Sequence, residues 1–228
     1  MHPYQISARR RELQAKSGEV CGAGDEAVTK EASKVRRQYE RIAPYYDLLD
    51  GAFEHCRYRR IRPLLFEGLS GKLLDVGVGT GRNMLWYPAG SDVIGVDLSP
   101  SMLRRAARRQ GASPAHVALV QMDIARLAFS DAAFDAAVAS FVFCTLPDAL
   151  HVPALRELAR VVKPGGSIRL MEYTRPRGGI RRWLAGLWAP WVRWAYGASF
   201  DRDPEPHLAT AGLSLVAVRF AVGDLIRL

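Results

Sequence analysis

The sequence has few cysteines and no cluster of metal ligands. Its three cysteines, Cys21, Cys56 and Cys144, lie far apart and form no C-x-x-C pair. The five histidines are scattered without the spacing of a zinc site. We therefore expect reduced thiols, no disulfide framework and no bound metal.

Long apolar runs are also missing. No run reaches the roughly 18 residues that a membrane-spanning helix needs, and the first residues contain no apolar signal-peptide core. Hydrophobic residues make up 49% and charged residues 24% of the 228 residues, which is ordinary for a globular protein. The expectation is a cytoplasmic protein with one large α/β domain and short appendages.

Acidic residues are outnumbered by basic ones. Lysine and arginine total 32 against 23 aspartates and glutamates, for a net charge of +9, and most of the basic residues are arginine. Arginine suits phosphates and carboxylates. An anionic membrane, a nucleic acid and simple solubility therefore remain open, and the charge by itself selects none of them.

The most informative segment is a glycine-rich turn between two apolar runs. The first run and its turn read KLLDVGVGTG over 72–81, and the second run reads VIGVD over 93–97. Such a turn lets the main chain approach a ligand, and the acid that ends the second run can bind ribose hydroxyls. The segment predicts a site for an adenosine-containing cofactor.

The spacing of the glycines indicates which cofactor. Gly77, Gly79 and Gly81 form G-x-G-x-G, whereas the dinucleotide pattern G-x-G-x-x-G would need a glycine at Arg82. Asp75 would repel a pyrophosphate but attract a cation. S-adenosylmethionine carries a sulfonium and an amino group, so we predict this cofactor.

The rest of the chain alternates between strand and helix patterns. Strands are predicted at about 72–77, 92–97, 116–121, 134–141, 167–173 and 214–221, with helices at about 82–87, 101–110 and 148–162. Regular alternation predicts a parallel sheet with right-handed crossovers. The final run over 217–228, broken by Gly223-Asp224, suits an antiparallel hairpin at the sheet edge.

Three regions are predicted along the chain. They are a mobile N-terminal extension (1–30), a helical cap (31–70) and a cofactor-binding domain (71–228) that contains a tryptophan-rich insertion (178–200). Within the cap, a helix over 31–43 is expected to stop at Pro44, and a basic helix is expected over 54–67.

The glycine turn, Asp97, Asp123 and the turn Lys163-Pro-Gly-Gly166 together resemble the class I S-adenosylmethionine-dependent methyltransferases, over about 72–173. The resemblance implies an α/β fold: a Rossmann-like, seven-stranded, mostly parallel sheet with one antiparallel edge strand, helices on both faces and an N-terminal helical cap. The cofactor-binding residues that it implies are Asp75, Gly77, Gly79, Gly81, Asp97, Leu98, Met102, Asp123, Ile124 and Ser140.

The resemblance implies roles for several of these residues. The glycine turn would wrap the methionine part of the cofactor, and Leu98 and Met102 would pack on the adenine. Asp97 would hold the ribose hydroxyls, Asp123 the adenine amine, and Ser140 would lie beneath the sulfonium. For both aspartates the alternative is a purely structural role in a turn or at a helix N-cap.

The segment Arg41–Leu48, which has the sequence RIAPYYDL, bears on the substrate. It resembles the entry segment of methyltransferases that act on quinones and on phospholipid amines. Tyr45, Tyr46 and Asp47 are therefore expected to face the substrate. Tyr46, Asp47 and His55 are the candidate catalytic residues, with Asp47 and His55 as candidate bases. The alternative is that the tyrosines only pack the cap on the core.

Two further segments bear on the acceptor. The run SFVFCTLP over 140–147 lacks an arginine that similar quinone C-methyltransferases carry there, which argues against methylation of a ring carbon of a quinone precursor. The segments over 77–81, 87–88 and 95–100 look closer to bacterial phospholipid N-methyltransferases, and the expected acceptor is a phospholipid amine or a quinone precursor. Four of the five tryptophans, Trp183, Trp188, Trp191 and Trp194, lie in the insertion among arginines. They indicate either contact with a membrane surface or a helix that packs on the sheet or covers the pocket.

We therefore predict a methyltransferase for a small hydrophobic or lipid-like acceptor. A nucleotide-dependent oxidoreductase and a non-catalytic RNA- or membrane-binding protein are the alternatives. The expected partners are the lipid-like substrate and, peripherally, an anionic membrane, with no nucleic acid and no metal.

Overall fold

The computed structural model describes residues 6–7, 23–174, 178–223 and 225–228. Most of the predicted extension over 1–30, including Cys21, lies outside these residues. The first helix begins at Ala23, inside the predicted extension and before the predicted start of the cap.

A mostly parallel sheet forms the centre of the protein. In chain order its strands are β1 (Ile6–Ser7), β2 (Lys72–Val76), β3 (Asp92–Asp97), β4 (His116–Gln121), β5 (Phe134–Ser140), β6 (Val162–Tyr173), β7 (Ser214–Leu215), β8 (Phe220–Val222) and β9 (Ile226–Arg227). The five longest strands are parallel and follow the order β4-β3-β2-β5-β6. Beyond β6, β1 and β9 pair with it antiparallel, and β8 forms a hairpin with β9. The predicted Rossmann-like sheet with an antiparallel edge is confirmed.

The central strands are buried because a parallel sheet is covered on both faces. In β2, all residues after Lys72 are buried, and β5 is filled by small residues over 136–139. β2 lies between β3 and β5, so its Asp75 is a carboxylate in the middle of the sheet. Burying a carboxylate is costly unless hydrogen bonds compensate for the lost water. An acid at this position therefore indicates a functional role for Asp75 and not a packing role.

Five helices surround the sheet in the described part of the chain. They are α1 (Ala23–Phe53), α2 (Arg59–Phe66), α3 (Pro100–Gln110), α4 (Asp148–Val161) and α5 (Gly179–Tyr196), with a π-helical turn, Glu54–Tyr58, between α1 and α2. Ser99 begins α3 by accepting a hydrogen bond from the backbone of Met102 at 3.2 Å, with proline at the first helical position. None of the described helices combines the length and the apolar character that crossing a membrane requires.

Two local predictions were wrong. The cap helix does not stop at Pro44 but continues through it. Buried Ile42 and Ala43, which cluster with Met102, hold this part of α1 on the core, which offsets the roughly 3 kcal/mol that an interior proline costs. The predicted helix over 82–87 is only a 3₁₀ turn, Met84–Trp86, because Pro88 favours an extended Tyr87.

Candidate active site

A cleft opens where β2, β3, β4 and β5 end, which is the edge at which open α/β sheets bind ligands. It contains about 780 Å³ of empty space, counting its open mouth. Eight of the ten predicted cofactor residues line it: Gly77, Gly79, Asp97, Leu98, Met102, Asp123, Ile124 and Ser140. The other two, Asp75 and Gly81, lie behind this lining.

The glycine turn is shaped by contacts that leave no room for side chains. Gly77 has a φ of 66°, and a Cβ there would lie 2.4 Å from Cγ2 of Val142. Gly81 has a φ of 81°, and its Cβ would lie 3.1 Å from Cα of Ala106 in α3. Gly77 therefore keeps the cleft open, whereas Gly81 lets α3 pack closely.

Asp97 ties the glycine turn to the start of α3. Its Oδ2 accepts a hydrogen bond from the backbone N–H of Gly79 at 2.9 Å, and its Oδ1 accepts one from Ser99 at 2.8 Å. Burial raises the pKa of Asp97 to about 6, although these N–H groups oppose the shift. The carboxylate is ionised at neutral pH and lines the cleft.

Asp75 lies on β2, beneath the turn. Its Oδ2 accepts hydrogen bonds from Asn83 at 3.0 Å and from the Tyr87 hydroxyl at 2.5 Å. Its buried Oδ1 has no hydrogen-bond partner within the described residues. Burial raises the pKa of Asp75 to about 6. Sequence reasoning missed both partners. The signal for one of them was a polar residue, Asn83, two positions after the last glycine of the turn.

Asp123 lies in a turn at the edge of the cleft. Its Oδ1 accepts a hydrogen bond from the backbone of Ala125 at 2.9 Å, which makes it a turn residue. It also lines the cleft together with Ile124.

Glu40 joins the cap to the core at the edge of the cleft. Its carboxylate accepts hydrogen bonds from the hydroxyls of Ser99 and Ser101, both at 2.5 Å, and from the backbone of Ser101 at 3.0 Å. A negative charge at the N-terminus of α3 also complements the helix dipole. α1 is thereby anchored beside Asp97.

Asp47 anchors α1 a second time. It pairs with Arg82 at 3.2 Å and Arg109 at 3.0 Å, with Arg105 3.8 Å away, and accepts a hydrogen bond from the Thr80 hydroxyl at 2.9 Å. Burial opposes its ionisation, but the hydrogen bonds from Arg109 and Thr80 outweigh burial and lower the pKa of Asp47. A carboxylate so engaged serves as a docking residue and is a poor base.

The three candidate catalytic residues are not brought together. Tyr46 lines the cleft, whereas His55 is exposed on the π-helical turn and is not among the lining residues. Tyr45, the neighbour expected to face the substrate, is 64% exposed. Of the predicted substrate-side residues, only Tyr46 is positioned to contact a ligand in the cleft.

An aromatic wall forms the cap side of the cleft. The ring of Tyr46 lies 6.3 Å from that of Tyr39 and meets Tyr196 of α5 edge-on at 5.7 Å. Burial raises the pKa of the Tyr39 phenol far above its ordinary value, and a hydrogen bond with Thr145 only partly offsets this. Tyr39 is therefore a neutral phenol. Sequence reasoning missed Tyr39, which the proximity of α1 to the strand ends brings into the site.

The loop after β5 also lines the cleft, and it depends on a buried acid. Glu172 of β6 accepts hydrogen bonds from three consecutive backbone N–H groups, over 142–144, at 2.8–3.0 Å. Burial raises its pKa to about 7. At the start of this loop, Phe141 has a φ of 57°, a strained conformation for a side-chain-bearing residue that often marks functional sites.

The tryptophan-rich insertion is a continuous helix, α5, that passes through Pro190. Trp183, Leu187 and Trp194 are 65–69% exposed. Trp191 instead packs on Tyr196, with ring centroids 5.6 Å apart. One end of α5 thus supports the aromatic wall, and an apolar part of the helix faces solvent.

The cleft offers groups that suit the chemical parts of S-adenosylmethionine. Several features are compatible with an amino acid joined to adenosine. They are the absence of a side chain at Gly77, the buried Asp75 oxygen that has no hydrogen-bond partner among the described residues, and the acids Asp97 and Asp123 at successive strand ends. No feature of the described lining opposes this fit.

Known proteins resemble this chain in sequence and fold. The family model "Methyltransferase domain" matches residues 74–170. A ubiquinone/menaquinone biosynthesis C-methyltransferase of Syntrophotalea carbinolica is 33% identical over 166 residues, covering 69% of this chain and 68% of that protein. A demethylmenaquinone methyltransferase of Thermus thermophilus is 36% identical over 149 residues, covering 62% and 66%. The chain thus spans about two thirds of the length of both relatives.

A solved structure supports the fold. A SAM-dependent methyltransferase of Thermotoga maritima superposes with a TM-score of 0.61 over 84% of this chain and 96% of that one, at 19% identity. The fold is therefore that of a Rossmann-like methyltransferase domain. The chain belongs to the class I S-adenosylmethionine-dependent methyltransferases, in the quinone-biosynthesis group. The family predicted from the glycine turn is confirmed, and the oxidoreductase alternative finds no support.

Proposed function

We propose that this enzyme methylates an aromatic, lipid-like acceptor of the quinone-precursor kind. The observation that carries the proposal is the aromatic half of the cleft, where Tyr39, Tyr46 and Phe141 line the space beside the cofactor residues. Flat aromatic walls favour a flat ring. The names of the two relatives, which refer to ubiquinone, menaquinone and demethylmenaquinone, support the same acceptor class.

The predicted cofactor residues would hold S-adenosylmethionine as follows. The turn at Gly77 and Gly79 would admit the amino-acid end, Asp97 would accept hydrogen bonds from the ribose hydroxyls, and Asp123 with the backbone of Ile124 would contact the adenine. When bound, S-adenosylmethionine supplies an electrophilic methyl group on a sulfonium. The protein contributes alignment of the acceptor and exclusion of water, since α1 covers the cleft.

The cap side would position the acceptor. Tyr39 is a neutral phenol. It can donate a hydrogen bond to an oxygen of the methyl acceptor, but it cannot remove a proton from that oxygen. Tyr46 offers its ring for stacking, which is the role we assign to it. A phenolic acceptor must lose its proton before a ring carbon can attack the methyl group, so the reaction should be faster at higher pH.

A phospholipid amine is the second candidate acceptor. Two observations favour it: the run over 140–147 lacks arginine, and α5 exposes Trp183 and Trp194. A neutral amine would need no base. The two acceptors therefore differ chemically enough to be separated in one assay.

The acceptor assay offers both substrates together. Detergent micelles containing reduced demethylmenaquinone and phosphatidylethanolamine are incubated with methyl-labelled S-adenosylmethionine, and mass spectrometry identifies the labelled lipid. We expect label on the quinone ring. Tyr46→Ala should lower the rate about tenfold or more because the ring loses its support, whereas the exposed Tyr45→Ala should not. Label confined to the amine lipid would contradict the proposal.

We also propose that α5 contacts an anionic membrane surface, from which a lipid-like acceptor would come. Exposed Trp183 and Trp194, exposed Arg193 between them and the net charge of +9 suit such an interface. Vesicles rich in phosphatidylglycerol should float the wild-type protein, and Trp183→Ser/Trp194→Ser should float several-fold less. Trp86→Ser, outside α5, is the control. Equal flotation of all three proteins would refute the membrane contact.

A further inference from the structure

A chain of buried polar side chains runs from the cap to the strand beneath the glycine turn. Arg62 of α2 is 5% exposed, and its Nε and Nη2 donate to both carboxylate oxygens of Glu54 at 2.8–3.1 Å. Its Nη1 donates to Oδ1 of Asn83 at 2.7 Å. Asn83 in turn donates from Nδ2 to Asp75 and to the hydroxyl of Ser140, both at 3.0 Å. The chain therefore links a cap residue, Glu54, to the cleft lining.

The chemistry of its neighbours determines how Asn83 is oriented. A guanidinium can only donate hydrogen bonds, and an ionised carboxylate can only accept them. The amide oxygen must therefore face Arg62, and the amide nitrogen must face Asp75. Without Arg62, none of the other side chains in this hydrogen-bonded series would prevent the Asn83 amide from rotating and placing its oxygen against the Asp75 carboxylate.

The charges of these hydrogen-bonded side chains do not cancel. Glu54 and Asp75 carry two negative charges when ionised, and Arg62 carries one positive charge. Asp75 also faces the hydroxyl of Tyr87 and the charge of Asp97. Its Oδ1 is buried without a hydrogen-bond partner in the described part of the chain. A buried carboxylate with one oxygen unpaired favours a cationic donor.

We propose that Arg62, held by Glu54, is a positioning residue of the cofactor site. It fixes the Asn83 carboxamide, and through it the Asp75 carboxylate and the Ser140 hydroxyl, for the positively charged amino-acid end of the cofactor. The inference rests on the proposed cofactor site. Because Glu54 and Arg62 belong to the cap and Asp75 to the sheet, the affinity for the cofactor depends on correct docking of the cap.

The test replaces the ion pair as a unit. Glu54→Gln/Arg62→Met removes both charges together, so neither is left buried alone, but Asn83 loses its donor. Calorimetric titration with S-adenosylhomocysteine from pH 5.5 to 8.5 should show about tenfold weaker binding at pH 8. The loss of affinity at low pH should also begin at a higher pH than in the wild type, because the guanidinium that lowers the pKa of Asp75 is gone. A purely structural role of the ion pair would leave unchanged the pH at which the affinity begins to fall.

Two further variants make the result decisive. Arg169→Met removes another buried arginine, which donates to the carbonyls of Leu65 and Glu67, and should reduce stability without changing the pH profile. If the double variant does not fold, Asn83→Asp takes its place in the test. Its carboxylate still accepts a hydrogen bond from Arg62 but repels Asp75, so binding should weaken. Unchanged affinity and pH profile in a folded variant would overturn the proposal. Absence of binding to the wild type would instead refute the cofactor site itself.

Discussion

Asp97→Ala is expected to weaken the binding of S-adenosylhomocysteine about 100-fold or more, because each hydrogen bond to a charged group contributes roughly 1.5–3 kcal/mol. The substitution removes the carboxylate that we assign to the ribose hydroxyls. It also releases the backbone of Gly79 and Ser99, which this carboxylate holds at 2.9 and 2.8 Å. Isothermal titration calorimetry measures the affinity, and methyl transfer should fall in parallel.

Two variants control for this effect. Asp92→Ala removes an exposed carboxylate from the opposite end of β3 and should bind the ligand like the wild type. Asp97→Asn keeps the shape but presents an amide N–H to one of the two backbone donors, so its loss should be smaller than that of alanine. If Asp97→Ala binds within threefold of Asp92→Ala, the assignment of Asp97 is wrong.

The same titration has an expected pH dependence. Burial raises the pKa values of Asp97 and Asp75 to about 6. Asp97 is assigned to a ligand contact and Asp75 to the negative charge beneath the cationic end of the ligand, both in their ionised form. Wild-type affinity should therefore decrease as the pH falls through about 6. A flat profile between pH 5 and 8 would contradict the assignment.

Glu172→Leu is expected to destabilise the enzyme by about 3 kcal/mol or more, since each buried N–H left without an acceptor costs roughly 1–3 kcal/mol. Three consecutive N–H groups of the loop after β5 depend on this one carboxylate. The loop places Val142 against Gly77 and Phe141 in the cleft, so cofactor affinity should fall as well. Chemical denaturation gives the free energy of unfolding.

Glu172→Gln provides the comparison. Its amide oxygen can still accept from Val142 and Phe143, which share Oε1, but its NH₂ faces the N–H of Cys144. The stability of Glu172→Gln should lie between those of Glu172→Leu and the wild type. A leucine variant as stable as the wild type would show that the carboxylate does not support the loop.

Glu172 also predicts a pH effect on stability, with a defined sign. Its folded-state pKa is raised to about 7 from an ordinary value near 4.5, so the folded protein binds more protons than the unfolded chain between these values. Wild-type stability relative to Glu172→Gln should therefore decrease as the pH rises from about 4.5 to 7.

Much of the fold could be predicted from local patterns. The five parallel strands and helices α3 and α4 lie close to their predicted positions, because alternating apolar periods and turn residues are local signals. Pro44 misled the prediction of the cap helix because its cost is offset by tertiary contacts of Ile42 and Ala43, which no local pattern reveals. The same limit applies to Asp47, whose sequence neighbours are aromatic but whose spatial neighbours are arginines.

The sequence by itself determined the family and the cofactor class, because a glycine turn, the acid that follows it and their spacing are encoded within a few dozen adjacent residues. Only the tertiary structure decided which polar residues line the cleft and which hold the cap. Glu172, Arg62 and Tyr39 were not identified from the sequence, since each acts on groups that are distant along the chain. A side chain's role follows from the charges and hydrogen-bond partners that folding brings to it, and those partners lie on other elements.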